Sequence, residues 1–325
     1  MMFLFSQFGC KENSLSPLAF SDTTWINLGL NNVGVTSIVV KGDNIIAGGG
    51  SFGAYIFVST DKGQSWRLQY NPPSNTINLH SYSYPIPSVT FFIEGINLYA
   101  GVGHAFGGSI SVSTDNGITW KQKDPDFTQN INCFAAIGTT IYVGTDNGVF
   151  ISYDNGSSWN VSNPKLSQPI NYLCVLGTTL FAATGENGIF SLANNGNSWI
   201  PTNFGLPNTF INGLVVAGKD IFAGVYQPPG NSSGGVYVST NNGNSWTACN
   251  NGLTNHEIGV LSANGSNLFA GTLNGLYFSD NRGKLWTDIS YGTKIDSLGV
   301  YAITTYGSYL LVASNGIWLY PLSSN

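Results

Sequence analysis

Four carboxylates have the residue type and placement to act on a substrate: Asp146, Glu186, Glu257 and Asp296. Asp146 and Glu186 open the related strings DNG and ENG, Glu257 follows His256, and Asp296 lies in the same kind of segment further on. Two facing acids, about 5 to 9 Å apart, are what cleavage of a glycosidic bond requires. The same strings are good turn chemistry, repeated without an acid as Asn274-Gly275 and Asn315-Gly316. Turn formation is therefore the expectation, with catalysis as the alternative. A second set is aromatic: Tyr82, Tyr84, His104, Phe106 and Tyr226, together with Tyr70 and His80, are rings suited to stacking on a sugar or gripping a peptide. The histidines number three and no H-x-x-x-H or C-x-x-C spacing occurs, so neither a metal nor a cofactor is expected. GGGSFG at 48–53 is glycine-rich, but it follows a strand-like run and precedes no helix, which argues against a phosphate loop.

These residues sit in a chain of 325 residues, 42% hydrophobic, 13% aromatic and only 8% charged, with 41 glycines. That is a packed protein with a sparsely charged surface. A net charge of −5 with eleven Lys and Arg excludes the clustered cations that a nucleic acid or an anionic membrane surface needs. No apolar run approaches eighteen residues, so a spanning helix is not expected.

The elements that must carry the candidate residues are repeated. STDKGQSW (59–66), STDNGITW (113–120) and SYDNGSSW (152–159) share one pattern, and LANNGNSW (192–199), STNNGNSW (239–246) and SDNRGKLW (279–286) repeat it with Asn in place of Asp. The six copies place Asp61, Gly63 and Trp66; Asp115, Gly117 and Trp120; Asp154, Gly156 and Trp159; Asn194, Gly196 and Trp199; Asn241, Gly243 and Trp246; and Asn281, Gly283 and Trp286. Gly supplies a positive φ, the Asp or Asn oxygen accepts turn amides, and Trp packs beneath. Three copies lack the carboxylate, so the position is too poor in oxygen for calcium and is structural. A second run, IIAGG, LYAGV, IYVGT, LFAAT, IFAGV, LFAGT and LLVAS, starts at 45, 98, 141, 180, 221, 268 and 310. The spacing suits one four-stranded blade, and the small residues suggest strands crowded near a central axis. Seven runs against six turns imply that the last blade is finished elsewhere, by the strand beginning at Trp25. The expectation is an all-β, seven-bladed β-propeller of four-stranded blades, closed by the N-terminal strand.

The turn string resembles the Asp-box, or BNR, repeat of sialidases, sortilin-type receptors, xyloglucan-active glycosidases and the photosystem II assembly-factor family, from Trp25 to Tyr320. The resemblance implies the propeller and leaves function open between hydrolase, receptor and assembly factor. Sialidases clamp a carboxylate with three arginines; this chain has only Arg67 and Arg282, both beside repeated turns, so it is not a true sialidase.

Strand direction puts the loops entering each blade, and those between its second and third strands, on one face, opposite the repeated turns. The long insertions, 70–88, 102–108 and 225–235, belong to that face. A non-catalytic propeller binding a glycan or protein there is the expected function, and a glycoside hydrolase or lyase using the acids of the same face is the alternative. Cys133 and Cys174, in the first strands of adjacent blades, read as buried free thiols rather than a bridge, and Cys249 follows Trp246 in an outer strand. MMFLFSQFGC resembles the end of a bacterial lipoprotein signal, with Cys10 as the lipidation candidate. Residues 1–20 are thus expected to be a leader remnant or tether and 21–325 the propeller, exported to the periplasm or cell surface; the alternative is a cytoplasmic protein.

Overall fold

The computed structural model describes residues 25–50, 54–70, 88–104, 107–123, 127, 129–162, 166, 168–192, 198–226, 233–290, 295 and 299–322. Among them, strands pair antiparallel into seven four-stranded sheets, the blades of a β-propeller. The first strands of blades I to VII are Val35–Lys41, Ser88–Glu94, Ile131–Ile137, Ile170–Leu176, Ile211–Ala217, Ile258–Asn264 and Ala302–Tyr306. Each packs on the first strand of the next blade, and that of blade VII on that of blade I, so these strands surround the axis. The fourth, outer strand of blade VII is Ile26–Gly29, with Ile26 opposite Leu319 and Asn27 opposite Trp318. Trp25 packs on Tyr320, ring centroids 4.8 Å apart. Closure by the N-terminal strand is the architecture expected from the repeat count.

Buried apolar residues fall into seven clusters, and each joins two neighbouring blades. This corrects the expectation for the small residues. The runs beginning at 45, 98, 141, 180, 221, 268 and 310 are second strands, not axial ones. Their fourth residue is small because the first strand of the next blade, or the residues leading into it, lies against it: a Cβ on Gly48, Gly144, Gly224 or Gly271 would stand 2.6–2.8 Å from Val89, Ile170, Ile258 or Val300. Ala183 and Ala313 hold the same position in blades IV and VII. The insertion expected at 102–108 is largely strand, since the hairpin of blade II extends until His104 pairs with Gly107.

Five of the six repeated turns lie within the described residues; Asn194 and Gly196 fall outside them, while Trp199 is half-buried. In blade I, Ser59 Oγ donates to Asp61 Oδ1 (2.8 Å) and accepts the Gly63 N–H (2.7 Å), while Ser65 donates its N–H to Oδ1 (2.9 Å) and its hydroxyl to Oδ2 (2.5 Å). Asp115 and Asp154 repeat the set with Thr119 and Ser158. Two consecutive residues have positive φ, the glycine (77–90°) and the residue before it: Lys62, Asn116, Asn155, Asn242 or Arg282 (56–61°). The tryptophan does more than pack beneath its turn. Trp66, Trp246 and Trp286 donate Nε1–H to Leu28, Thr202 and Cys249 carbonyls of the preceding blade, each at 2.7 Å. Trp120 instead bonds Gly117 of its own turn (3.0 Å). Three of the turns therefore staple blade to blade, and a Cβ on Gly63 or Gly283 would meet Leu28 or Cys249 of the neighbour.

Candidate functional site

The face opposite these staples is built from the loops entering each blade and the turns between second and third strands. The latter share one construction. Thr145, Thr184 and Thr272 end the second strand, and each accepts the N–H of Asn147, Asn187 or Asn274 at 3.0–3.2 Å while donating to the carbonyl of Gly148, Gly188 or Gly275 at 2.9–3.0 Å. Thr-to-Asn-Gly is thus a second turn motif, with Gly at positive φ where the chain reverses. The entering loops reach over to it: Asn147 and Asn187 donate their side-chain amides to Gln129 and Gln168, each in the loop that enters its own blade.

Asp146 sits in the first of these turns, exposed, with both oxygens engaged: Asn130 Nδ2 donates to Oδ2 (2.7 Å) and Asn132 Nδ2 to Oδ1 (2.9 Å). Glu186, in the equivalent turn of blade IV, is exposed, and its backbone carbonyl accepts from Thr209 Oγ1 (2.6 Å). Glu257 is half-buried, its N–H donating to Asn255 Oδ1 (2.9 Å), and the neighbouring His256 ring nitrogen lies 3.0 Å from the Leu253 carbonyl. Asp296 lies outside the described residues. Among the described residues no three His, Cys, Asp or Glu side chains group as a metal site.

Of the expected aromatic residues, Tyr82, Tyr84 and Phe106 lie outside the described residues, as does the side chain of His104. Tyr226 is described and 38% exposed. It pairs with Phe210, 45% exposed, in an edge-on contact with centroids 6.3 Å apart and planes at 69°. The pair flanks the open end of the blade V hairpin, next to the Ile211–Val225 pairing. Its backbone is tied three times: Tyr226 N–H to Phe210 O (2.9 Å), Asn208 Nδ2 to Tyr226 O (2.9 Å) and Phe210 N–H to Asn208 Oδ1 (2.9 Å).

Sequence reasoning missed Phe210, Asn130 and Asn132. A signal existed for the last: Ile-Asn begins the first strands of blades III, IV and V, and in each the register shifts there, a β-bulge that presents Asn132, Asn171 or Asn212 out of the ladder. Asn212 uses this to donate to the Ile258 carbonyl of the next blade (3.2 Å).

The arginines serve elsewhere. Arg282 forms an ion pair with the buried Asp220 of blade V on the stapled face, and Arg67 is exposed on an outer strand. Cys133, Cys174 and Cys249 are free thiols. Burial pushes all three up, Cys249 to about 12, so they stay protonated and unreactive at neutral pH. Cys10 lies outside the described residues.

No protein-family model and no curated protein matches the sequence. Solved structures do. YCF48 bound to D1 peptide superposes with a TM-score of 0.68 at 16% identity, covering 95% of this chain and 100% of that one. The extracellular domain of the one-component system BT4673 from B. thetaiotaomicron gives 0.69 at 18% identity, over 91% of this chain and 40% of that one. The GH74 xyloglucanase from Xanthomonas campestris gives 0.64 at 16% identity, over 93% of this chain and 54% of that one. This chain thus spans the length of YCF48 and about half or less of the other two. At these identities the likeness is one of fold: the chain is a seven-bladed β-propeller whose structural neighbours include YCF48, BT4673 and a GH74 propeller.

Proposed function

We propose that this chain is a non-catalytic, exported propeller that binds a protein or glycan on the entry-loop face. One observation carries the reading: Asp146, the acid with the most complete surroundings on that face, spends both oxygens on the Asn130 and Asn132 amides. A carboxylate so engaged organises a turn rather than waiting for a substrate proton. The rim around it is amide-rich, through Gln129, Asn147, Gln168 and Asn187, and amides offer both donors and acceptors to a neutral ligand. Tyr82, Tyr84, His104, Phe106 and Tyr226 are the proposed ligand contacts. A protein ligand draws support from YCF48, matched over its whole length and solved with a D1 peptide.

The alternative, a glycoside hydrolase or lyase, is favoured by one observation, the exposed Glu186 with the GH74 likeness behind it. The repeated turns we assign to the Asp-box class on their Ser-Asp-Gly hydrogen bonding, and residues 1–20 to a leader or tether with Cys10 as its lipidation site. The extracellular placement of BT4673 supports export. The test is incubation with a polysaccharide panel, reading new reducing or unsaturated ends. The expected result is no turnover; turnover that vanishes in Asp146→Asn, Glu186→Gln or Glu257→Gln establishes the enzyme instead.

A further inference from the structure

Most of the described cations, though not the acids, gather on one face of the ring, the stapled face, which also holds Asp43, Asp61, Glu94, Asp115, Asp154, Asp220 and Asp280. The hairpins and turns of the stapled face carry Lys41, Lys62, Lys219, Arg282 and Lys284. Among the described residues of the opposite face, the entering loops and the second-to-third-strand turns carry Asp146, Glu186 and Glu257. Their one described cation, Lys123, is directed away, with Nζ 3.5 Å from Ser157 Oγ in a repeated turn of the next blade. A ligand on this face therefore meets carboxylate, amide and ring, with no described cation to oppose a positive charge.

The Phe210–Tyr226 pair is where these features meet. The edge-on geometry leaves ring surface open, and the three backbone hydrogen bonds hold the pair in place before any ligand arrives. Thr209, the residue before Phe210, donates its hydroxyl to the backbone carbonyl of Glu186, so an exposed acidic residue is tied to the segment that carries the aromatic platform. An aromatic face attracts a cation through its quadrupole, and a nearby carboxylate adds to that attraction. A neutral sugar would stack on the rings and donate hydroxyls to the carboxylate, but it gains neither the cation–π attraction nor the attraction of opposite charges. An acidic segment would be repelled.

Resting on the binding reading above, we infer that the Phe210–Tyr226 pair and Glu186 form a subsite for a Lys or Arg side chain of a basic polypeptide segment. The backbone that carries both rings is fixed beforehand, which lowers the ordering cost on the protein's side.

The experiment titrates the full chain with a fluorescent ten-residue oligo-lysine, its oligo-glutamate counterpart and a xyloglucan oligosaccharide, at two salt concentrations. Oligo-lysine should bind, and Glu186→Gln and Tyr226→Leu should each weaken it by about tenfold. Tyr226→Phe, which keeps the ring, should retain binding. Asp43→Asn removes the same unit of charge on the stapled face and should leave binding unchanged, which separates a subsite from general attraction to an acidic protein. Equal affinity across all four variants, or failure of oligo-lysine to bind, overturns the inference. Oligosaccharide binding that persists in Glu186→Gln overturns it too while leaving the binding reading in place, whereas cleavage of the oligosaccharide overturns both. Melting curves of each variant show that lost binding is not lost folding.

Discussion

Three of the described repeated turns hold aspartate and two hold asparagine, and the residue four positions on shows what each requires. Asp61, Asp115 and Asp154 face Ser65, Thr119 and Ser158, whose hydroxyls donate to the second oxygen. In blade V the direction reverses, Asn241 Nδ2 donating to Ser245 Oγ, and in blade VI Leu285 offers no hydroxyl, so Asn281 makes do with its amide oxygen. The hydrogen bonds have an electrostatic consequence. Ser65 and Ser158 hold Asp61 and Asp154 down to about 2, and at Asp115 burial pushes upward but the Thr119 and Ser113 bonds outweigh it and the carboxyl is also lowered. A depressed carboxyl contributes stability that is fully present above its unfolded value, about 4, and is lost as pH falls toward 2. Denaturant midpoints should therefore fall between pH 4 and 2, and Asp154→Asn should flatten that dependence; a slope unchanged by the substitution would contradict the turn chemistry. Lys62 supplies a second test, since it is exposed and held at φ 61° where Asn116, Asn155 and Asn242 sit in other blades. Lys62→Asn should stabilise by about 0.5–1 kcal/mol in urea melts, because asparagine tolerates the left-handed region better than lysine.

Within a blade, the second strand is the element whose neighbours decide its sequence. Gly144 is glycine because Ile170 of blade IV and Cys133 of its own first strand occupy the space around it. Gly144→Ala should destabilise by about 1–3 kcal/mol in equilibrium unfolding, the usual range for overpacking. Because Ala183 is the native residue at the same position of blade IV, Ala183→Gly measures the opposite change on the same scaffold and should cost about 1 kcal/mol or less. Here lies the boundary of what the sequence makes legible. Blade number and closure could be read because two repeats run in different phase and disagree by one copy. The role of the small residues could not, because it depends on which strand arrives beside them from the next blade. The same holds in the candidate site: Asp146 meets Asn130 and Asn132 across a bulged hairpin, and Phe210 meets Tyr226 only because a particular register brings the two hairpin ends together. Periodicity locates strands; it does not give their register or the side chain that a bulge redirects.

At the scale of the whole ring, stability depends on the last blade having its outer strand. A chain begun at Trp25 keeps Ile26–Gly29, and one begun at Asn31 lacks it along with the Leu28 carbonyl that receives Trp66. The shorter chain should melt markedly lower and associate through the uncovered edge at Gly316–Pro321, and equal melting of the two would contradict closure. The same pairing has a consequence in time. Ile26 finds Leu319 only after the roughly 290 residues between them have been made, which at a ribosomal rate of about 5–20 residues per second is a wait on the order of tens of seconds. Blades I to VI can assemble in order of their emergence, each from contiguous sequence. Of the strands in the ring, the first to leave the ribosome is thus the last to be paired, and its unsatisfied edge is the segment that a holding chaperone would have to shield during synthesis.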